Sequence, residues 1–354
     1  MFSQVTETPR FAELANLSID RLKQLETTLA SILASPNAQD TYAQIIDGRA
    51  TWQSHVDPNT RGFPNETIIV SDHPTPSDGA MQLYEEIRTV FTPQALKIDV
   101  QLAQNYQNAP LGSPEHDLRL LEITAASLNA LAGMIYASFH PETVLKPQES
   151  PSAQQDLLFF ETDQFYVDFY HTKYKEFERY PFGLLNVVGY WAETQLFGGV
   201  LLFDRGESGR EINNAFLHPP EVFYCYQLSS HQIACFSTLS KPKEAGQLSG
   251  AENPLPFTQE PNAHLENTWV RKGEAPLRIY KNDYDKPPPS WVPAHPSCTQ
   301  THDEGLLVSF DEARGIVKEK GWDRLEPQDY DLVALQNSHP FLSNMYPVRD
   351  DASK

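Results

Sequence analysis

The sequence predicts an α+β protein in which an N-terminal helical bundle is followed by a small, mainly antiparallel sheet with packed helices. Apolar residues recur at helical spacing through the first 140 residues, whereas Val, Leu, Tyr, Trp and Phe cluster in short runs further along the chain, as is typical of strands. A polar, proline-bearing stretch at 141–156 separates the two patterns. We therefore expect a helical region at 1–145 and an α+β region at 156–345, the latter with an irregular, proline-rich segment at 242–300.

Several helices are expected in the N-terminal region. Ser18 is placed to cap the first helix, and Ser35-Pro36-Asn37 ends it. Its apolar face consists of Leu22, Leu25, Leu29, Ile32 and Leu33. Further helices are predicted at about 42–50, 78–91 and 93–105.

The strongest helical pattern begins at Ser113-Pro114-Glu115 and continues to Phe139. Its apolar residues alternate at three- and four-residue spacing, which makes a narrow stripe suited to packing against one or two neighbouring helices. This pattern favours a core helix of a small bundle. A dimerising coiled coil is the alternative.

Strand-forming residues dominate the segment Gly183–Phe203, which predicts two strands with a turn near Gly198-Gly199. A third strand is expected at Ala215–His218. The prolines at 219 and 220 then predict a helix over 220–239.

The rest of the chain contains shorter expected elements. Strand-like pieces occur at 269–271 and 278–280, a capped helix is predicted at 311–320, and a last strand is predicted at 331–335.

The composition predicts a soluble cytoplasmic protein. Acidic residues outnumber basic ones by 47 to 27, giving a formal charge of −20, so the chain repels nucleic acid and anionic membrane surfaces. We see no leader pattern at the N-terminus and no apolar run of membrane-spanning length. The three cysteines, Cys225, Cys235 and Cys298, are too scattered for a disulfide framework. Cys225 and Cys235 are expected on different faces of the 220–239 helix, in a structural role.

Standard catalytic motifs are absent from the sequence. It contains no GxxxxGK[ST] or GxGxxG loop, no GxSxG elbow and no HExxH pair. Whether the protein is an enzyme is therefore left open, and no cofactor is predicted.

The segment 190–206 carries the candidate catalytic residues. Glu193, Asp204 and Arg205 lie at the ends of apolar runs. A buried carboxylate has a raised pKa and can act as an acid or base, and an arginine can bind an anionic group. The alternative is an internal ion pair with a structural role. Aromatic residues near 159–191 favour an apolar small molecule as partner.

The stretch Gly-Gly-Val-Leu-Leu-Phe-Asp-Arg-Gly at 198–206, with Tyr226-Gln227-Leu228 further on, resembles a segment of uncharacterised fungal proteins. This resemblance brings no known activity. It implies a fungal, lineage-restricted protein. Together with the aromatic residues near 159–191, this favours a soluble small-molecule-handling protein or tailoring enzyme of fungal specialised metabolism. A non-catalytic interaction or regulatory module is the alternative.

A second resemblance concerns metal binding. His302 and Glu304, followed by His339 and Arg349, resemble the iron triad and oxoglutarate-binding arginine of non-haem iron(II), 2-oxoglutarate-dependent oxygenases. The resemblance implies three iron ligands and a carboxylate clamp. The predicted helix at 311–320 takes up much of the chain between the two histidines. We therefore predict that the three ligands do not converge and that the protein holds no iron.

Overall fold

The computed structural model describes residues 11–51, 54, 73–145, 167–171, 173–220, 222, 224–241, 253–267 and 278–285. The predicted α+β class is confirmed, with helices in the N-terminal part and an antiparallel sheet after them. The elements expected at 269–271, 311–320 and 331–335 lie outside the described residues, as do His302, Glu304, His339 and Arg349.

Six helices occupy the described part of the first 145 residues. They are α1 (Ile19–Leu33), α2 (Pro36–Asp47), α3 (Asp78–Val90), α4 (Val100–Asn108), α5 (Pro114–Phe139) and α6 (Pro141–Leu145). Strands β1 (Phe11–Glu13) and β2 (Lys97–Asp99) pair antiparallel beside them. The expected helix at 93–105 is only partly confirmed: residues 93–95 form one 3-10 turn, residues 97–99 form β2, and the α-helix begins at Val100. Asp99 explains the later start, because its carboxylate accepts hydrogen bonds from the backbone N–H groups of Gln101 and Leu102 and so caps α4.

The segment 183–203 also differs from its prediction of two strands. It forms helix α7 (Leu184–Phe197) and strand β3 (Val200–Asp204). Gly198 ends α7 with a φ of 88°, a left-handed conformation that favours glycine. Nearly every face of α7 is buried, so its apolar residues show no helical stripe, and tertiary packing outweighs the strand propensity of its Val, Tyr and Trp residues.

Among the described residues, the main sheet has five strands, all antiparallel, in the order β6-β5-β4-β3-β7. Besides β3 it contains β4 (Ala215–His218), β5 (Tyr224–Gln227), β6 (Leu265–Asn267) and β7 (Ile279–Tyr280). Strands β4 and β7 lie where the sequence places strands.

The predicted helix at 220–239 is wrong over its first part. Residues there form β5, and only α8 (Ser230–Ser237) is helical, starting from a capping box made by Ser229 and Gln232. Cys225 is therefore a buried residue of β5, and Cys235 alone lies on the helix.

Helix α5 is the central element of the core. It packs closely on α7, and a Cβ added to Gly189 would come within 3.0 Å of the Asn129 backbone oxygen, so the glycine permits the approach. Contrary to the sequence expectation, α5 is long and apolar enough to cross a membrane. However, 78 % of that apolar stretch is buried inside the protein, as in a core helix of a soluble protein.

One hydrophobic cluster links the N-terminal helices to the sheet. It runs through Leu29 on α1, Leu121 on α5, Trp191 on α7 and Leu201 on β3. The predicted domain boundary at 141–156 lies mostly outside the described residues and stays a prediction.

Candidate functional site

Glu193 lies in the middle of the core with no exposed surface. The Lys281 Nζ atom, just after β7, is 2.7 Å from both of its carboxylate oxygens. The ammonium group also lies 5.6 Å from the centre of the Tyr190 ring. Glu193 and Lys281 thus form a buried, hydrogen-bonded ion pair.

Two neutral donors complete the surroundings of this carboxylate. The Asn129 side-chain amide donates to Oε2 at 2.7 Å, and the Leu201 backbone N–H donates to Oε1 at 2.6 Å. The Asn129 Oδ1 atom is buried and receives no hydrogen bond from the described residues. Each Glu193 oxygen therefore accepts two hydrogen bonds, which is what a buried charge requires.

Arg205 follows β3 and forms a second buried ion pair. Its guanidinium bonds to Oε1 of Glu122 on α5, and Arg119 bonds to Oε2 of the same carboxylate at 2.9 Å. Burial alone would raise the pKa of Glu122, but Arg205 and Arg119 outweigh it and hold that pKa below its ordinary value.

Arg205 also joins the two ion pairs. Its backbone N–H donates to the Arg278 carbonyl at 2.9 Å, and its guanidinium donates to the carbonyls of Tyr280 and Lys281. The segment 278–285 is thereby fixed to the core where its lysine reaches Glu193. Asp204 has a local role, because its Oδ1 accepts from the Gly206 backbone N–H at 2.9 Å.

Asp285 ends the described part of this segment. It accepts hydrogen bonds from the hydroxyl groups of Tyr180 and Tyr190, at 3.0 and 3.1 Å. Burial raises the pKa of Asp285 to about 6, and the two tyrosines and Lys281 limit the rise.

Two neutral histidines, His171 and His218, are buried beside each other. His218 donates from Nε2 to the Val222 carbonyl at 2.9 Å, so its Nδ1 accepts from the Tyr174 hydroxyl, also at 2.9 Å. His171 uses its Nε2 atom to donate to the Pro219 carbonyl at 3.1 Å. Burial lowers the pKa of His218 to about 4 and that of His171 well below its ordinary value.

The structure thus brings Glu193 and Arg205 into one polar network, linked through residue 281. The catalytic assignment of Glu193, Asp204 and Arg205 stays a prediction, and the ion pairs supply the structural role that was its alternative. Sequence reasoning missed the partners Glu122 and Lys281. The signal for Glu122 was a carboxylate on a strongly apolar helix.

A concave surface occurs elsewhere, where α1, α5 and α8 meet. This cleft has a volume of about 320 Å³. One wall consists of Gln24 from α1, Leu111 and Gly112 from the loop before α5, and His116 and Asp117 from the first turns of α5.

The opposite wall of the cleft comes from the end of α8 and the turn after it. It consists of Ala234, Ser237, Thr238, Ser240 and Lys241. None of the three residues predicted to be catalytic lines this cleft.

His116 is the unusual residue of the cleft, since only 2 % of it is exposed. Its Nε2 atom donates to the Gln24 side-chain oxygen at 3.0 Å. Burial, followed by the positive charge of Arg21, lowers the pKa of His116, so the ring is neutral at pH 7. Its Nδ1 atom is buried and receives no hydrogen bond, while Oδ1 of Asp117, an acceptor too, lies 3.5 Å away.

Within the described part of the chain, no group of three or more His, Cys, Asp or Glu residues is arranged to hold a metal ion. Comparisons of the chain with protein-family models, with curated proteins and with solved structures found no match. Any functional assignment therefore depends on the geometry described above.

Proposed function

We propose that the protein handles a small molecule and that the cleft between α1, α5 and α8 is its binding site. The observation that carries this proposal is His116, a buried side chain on the cleft wall with a ring nitrogen that lacks a hydrogen-bond partner. Buried polar atoms in folded proteins are nearly always paired, so an unpaired one beside a concave surface points to a ligand that pairs with it.

The polar network around Glu193 is less suited to binding. Both oxygens of Glu193 and both oxygens of Glu122 already accept hydrogen bonds from the protein. A ligand could reach these oxygens only by displacing the protein's own donors, and the two buried carboxylates would then lose the hydrogen bonds that compensate their charge. This supports a structural role for the network and leaves the cleft as the better candidate.

The proposal keeps fungal specialised metabolism as its setting, because of the resemblance carried by residues 198–206. A non-catalytic interaction module remains the competing function, and the experiment below separates the two.

A fragment library screened by saturation-transfer NMR against the full chain tests the proposal. Ala234→Trp and Thr238→Trp each place an indole in the cleft from an exposed position, and Ala30→Trp on the exposed face of α1 is the matched control. We expect a set of fragments whose signals disappear with both cleft variants and persist with the control. If no fragment behaves in this way, the cleft is not a binding site and the interaction module is favoured.

A further inference from the structure

The free polar groups of the cleft are almost all hydrogen-bond acceptors. The hydroxyl groups of Ser237, Thr238 and Ser240 each donate to a backbone carbonyl of α8 or its following turn, at 3.1, 2.6 and 2.7 Å. A hydroxyl has one proton, so these three oxygens have only lone pairs left to offer. Ser240 also receives a long bond of 3.4 Å from Gln24, which leaves it one lone pair.

The opposite wall has the same character. The His116 Nδ1 atom carries a lone pair, because the ring proton is on Nε2. The neighbouring Asp117 carboxylate is 30 % exposed and accepts but cannot donate when ionised. The two atoms are 3.5 Å apart, a distance that one donor group with several protons can bridge.

We infer that the cleft binds a primary ammonium group carrying a short apolar chain. The ammonium donates to His116 Nδ1 and to the Asp117 carboxylate, with a third proton for a hydroxyl oxygen of the α8 wall. This inference rests on the proposed function and specifies its ligand class. A hydroxyl offers one donor for these acceptors, and a carboxylate ligand offers none.

Two further features agree with this ligand class. Leu111 and Ala234 provide apolar surface in the same cleft for the chain attached to the amine. The formal charge of −20 attracts cations to the protein as a whole. Two positive charges oppose this locally, because Lys241 lines the cleft and the charge of Arg21 acts on the His116 ring.

The probes are n-butylammonium, n-butanol and n-butyrate, each titrated at pH 7.5 into the full chain labelled with ¹⁵N-histidine. The His116 signals are assigned by their loss in His116→Gln. We expect n-butylammonium to shift the His116 Nδ1 resonance with a Kd on the order of millimolar, as suits a ligand of this size. n-Butanol should bind about tenfold more weakly, because it lacks the charge-assisted hydrogen bond.

Charge variants at two cleft residues complete the test. Asp117→Asn should raise the Kd for n-butylammonium about tenfold. Lys241→Gln should lower it about twofold, because a like charge is removed. The fold of each variant is checked by its amide NMR spectrum, and Asp117→Ser replaces Asp117→Asn if the latter does not fold, with the same rise of about tenfold in Kd expected because the negative charge is again removed.

The outcomes separate this inference from the proposed function. Equal or tighter binding of n-butanol or n-butyrate, or an unchanged Kd in Asp117→Asn, overturns the amine assignment. Fragments that bind the cleft but contain no amine overturn it as well, while the proposed function stands. If the Trp variants also displace no fragment, both proposals fail.

Discussion

The Lys281 ammonium lies 2.7 Å from each carboxylate oxygen of Glu193, a residue 88 positions earlier in the chain that has no exposed surface. A buried pair of this kind fixes the position of two elements relative to each other, here helix α7 and the segment after β7. Removing one partner leaves a buried charge without compensation, which typically costs about 3–5 kcal/mol, whereas replacing both partners is often close to neutral. This asymmetry makes the pair testable.

A double-mutant cycle on the pair is the first prediction. We expect Lys281→Met to lower the free energy of unfolding by about 3–5 kcal/mol, since the buried Glu193 carboxylate loses the ammonium group that compensates it. Adding Glu193→Gln should recover part of this loss, because the amide is neutral and still accepts the hydrogen bond of Leu201. Urea unfolding measures both values. Additive losses would show that the pair is not coupled.

The second prediction concerns Arg205. Arg205→Lys keeps the charge but loses donors to Glu122 and to the carbonyls of residues 280 and 281. We expect the free energy of unfolding to fall by about 1–3 kcal/mol. Arg179→Lys is the control, because Arg179 is 44 % exposed and its bonds to Glu176 and to the Tyr284 carbonyl both lie at the surface. Equal effects of the two substitutions would contradict the structure.

A pH dependence is the third prediction and follows from Asp285. Its native pKa of about 6 lies above the ordinary 3.8, so the folded protein keeps a proton that the unfolded chain releases. Stability from this group is therefore fully present below pH 3.8 and is lost as the pH rises toward 6. Asp285→Asn removes that dependence. Unfolding midpoints measured from pH 4 to 7 should show the variant gaining stability relative to the wild type as the pH rises, and parallel curves would refute this.

His218 supplies the fourth prediction, with the opposite sign. Its native pKa of about 4 lies below the ordinary 6.5, so the unfolded chain takes up a proton that the folded protein excludes. Stability from this group is present above pH 6.5 and is lost as the pH falls toward 4. In Tyr174→Phe the hydroxyl donor to the neutral ring disappears, so the pKa of His218 should rise. Histidine NMR titrations check the direction, and a lower pKa in the variant would be inconsistent with the hydrogen bond.

The sequence predicts a helix correctly where that helix has both a stripe of apolar residues and a capping residue at its start. Ser113 caps α5, and the alternating apolar spacing of that helix identifies it. Helix α7 has neither signal: Gly183 offers no side-chain cap, and the helix is buried on nearly all sides, so its composition resembles that of strands. β5 was missed because prolines at 219 and 220 resemble a helix start.

The candidate sites show the same limit. Charges within apolar runs identified Glu193 and Arg205 as unusual, but the partner of Glu193 lies in a proline-rich region with no periodicity, so long-range pairing could not be inferred. The cleft could not be predicted from the sequence for a different reason. His116 looks like an ordinary helix residue in the sequence, and only the packing of Gln24 and α8 around it shows that one nitrogen is left unpaired.

The dependence of Glu193 on residue 281 has a consequence for biosynthesis. During translation α5, α7 and β3 leave the ribosome long before Lys281 does, so for that interval the carboxylate at the centre of the helical pair has no ammonium partner. A chain stopped before residue 278 also lacks the carbonyls that Arg205 binds. The first two hundred residues therefore reach their final stability only after the segment 278–285 has been synthesised, and until then this part of the chain lacks one of the ion pairs that hold its core together.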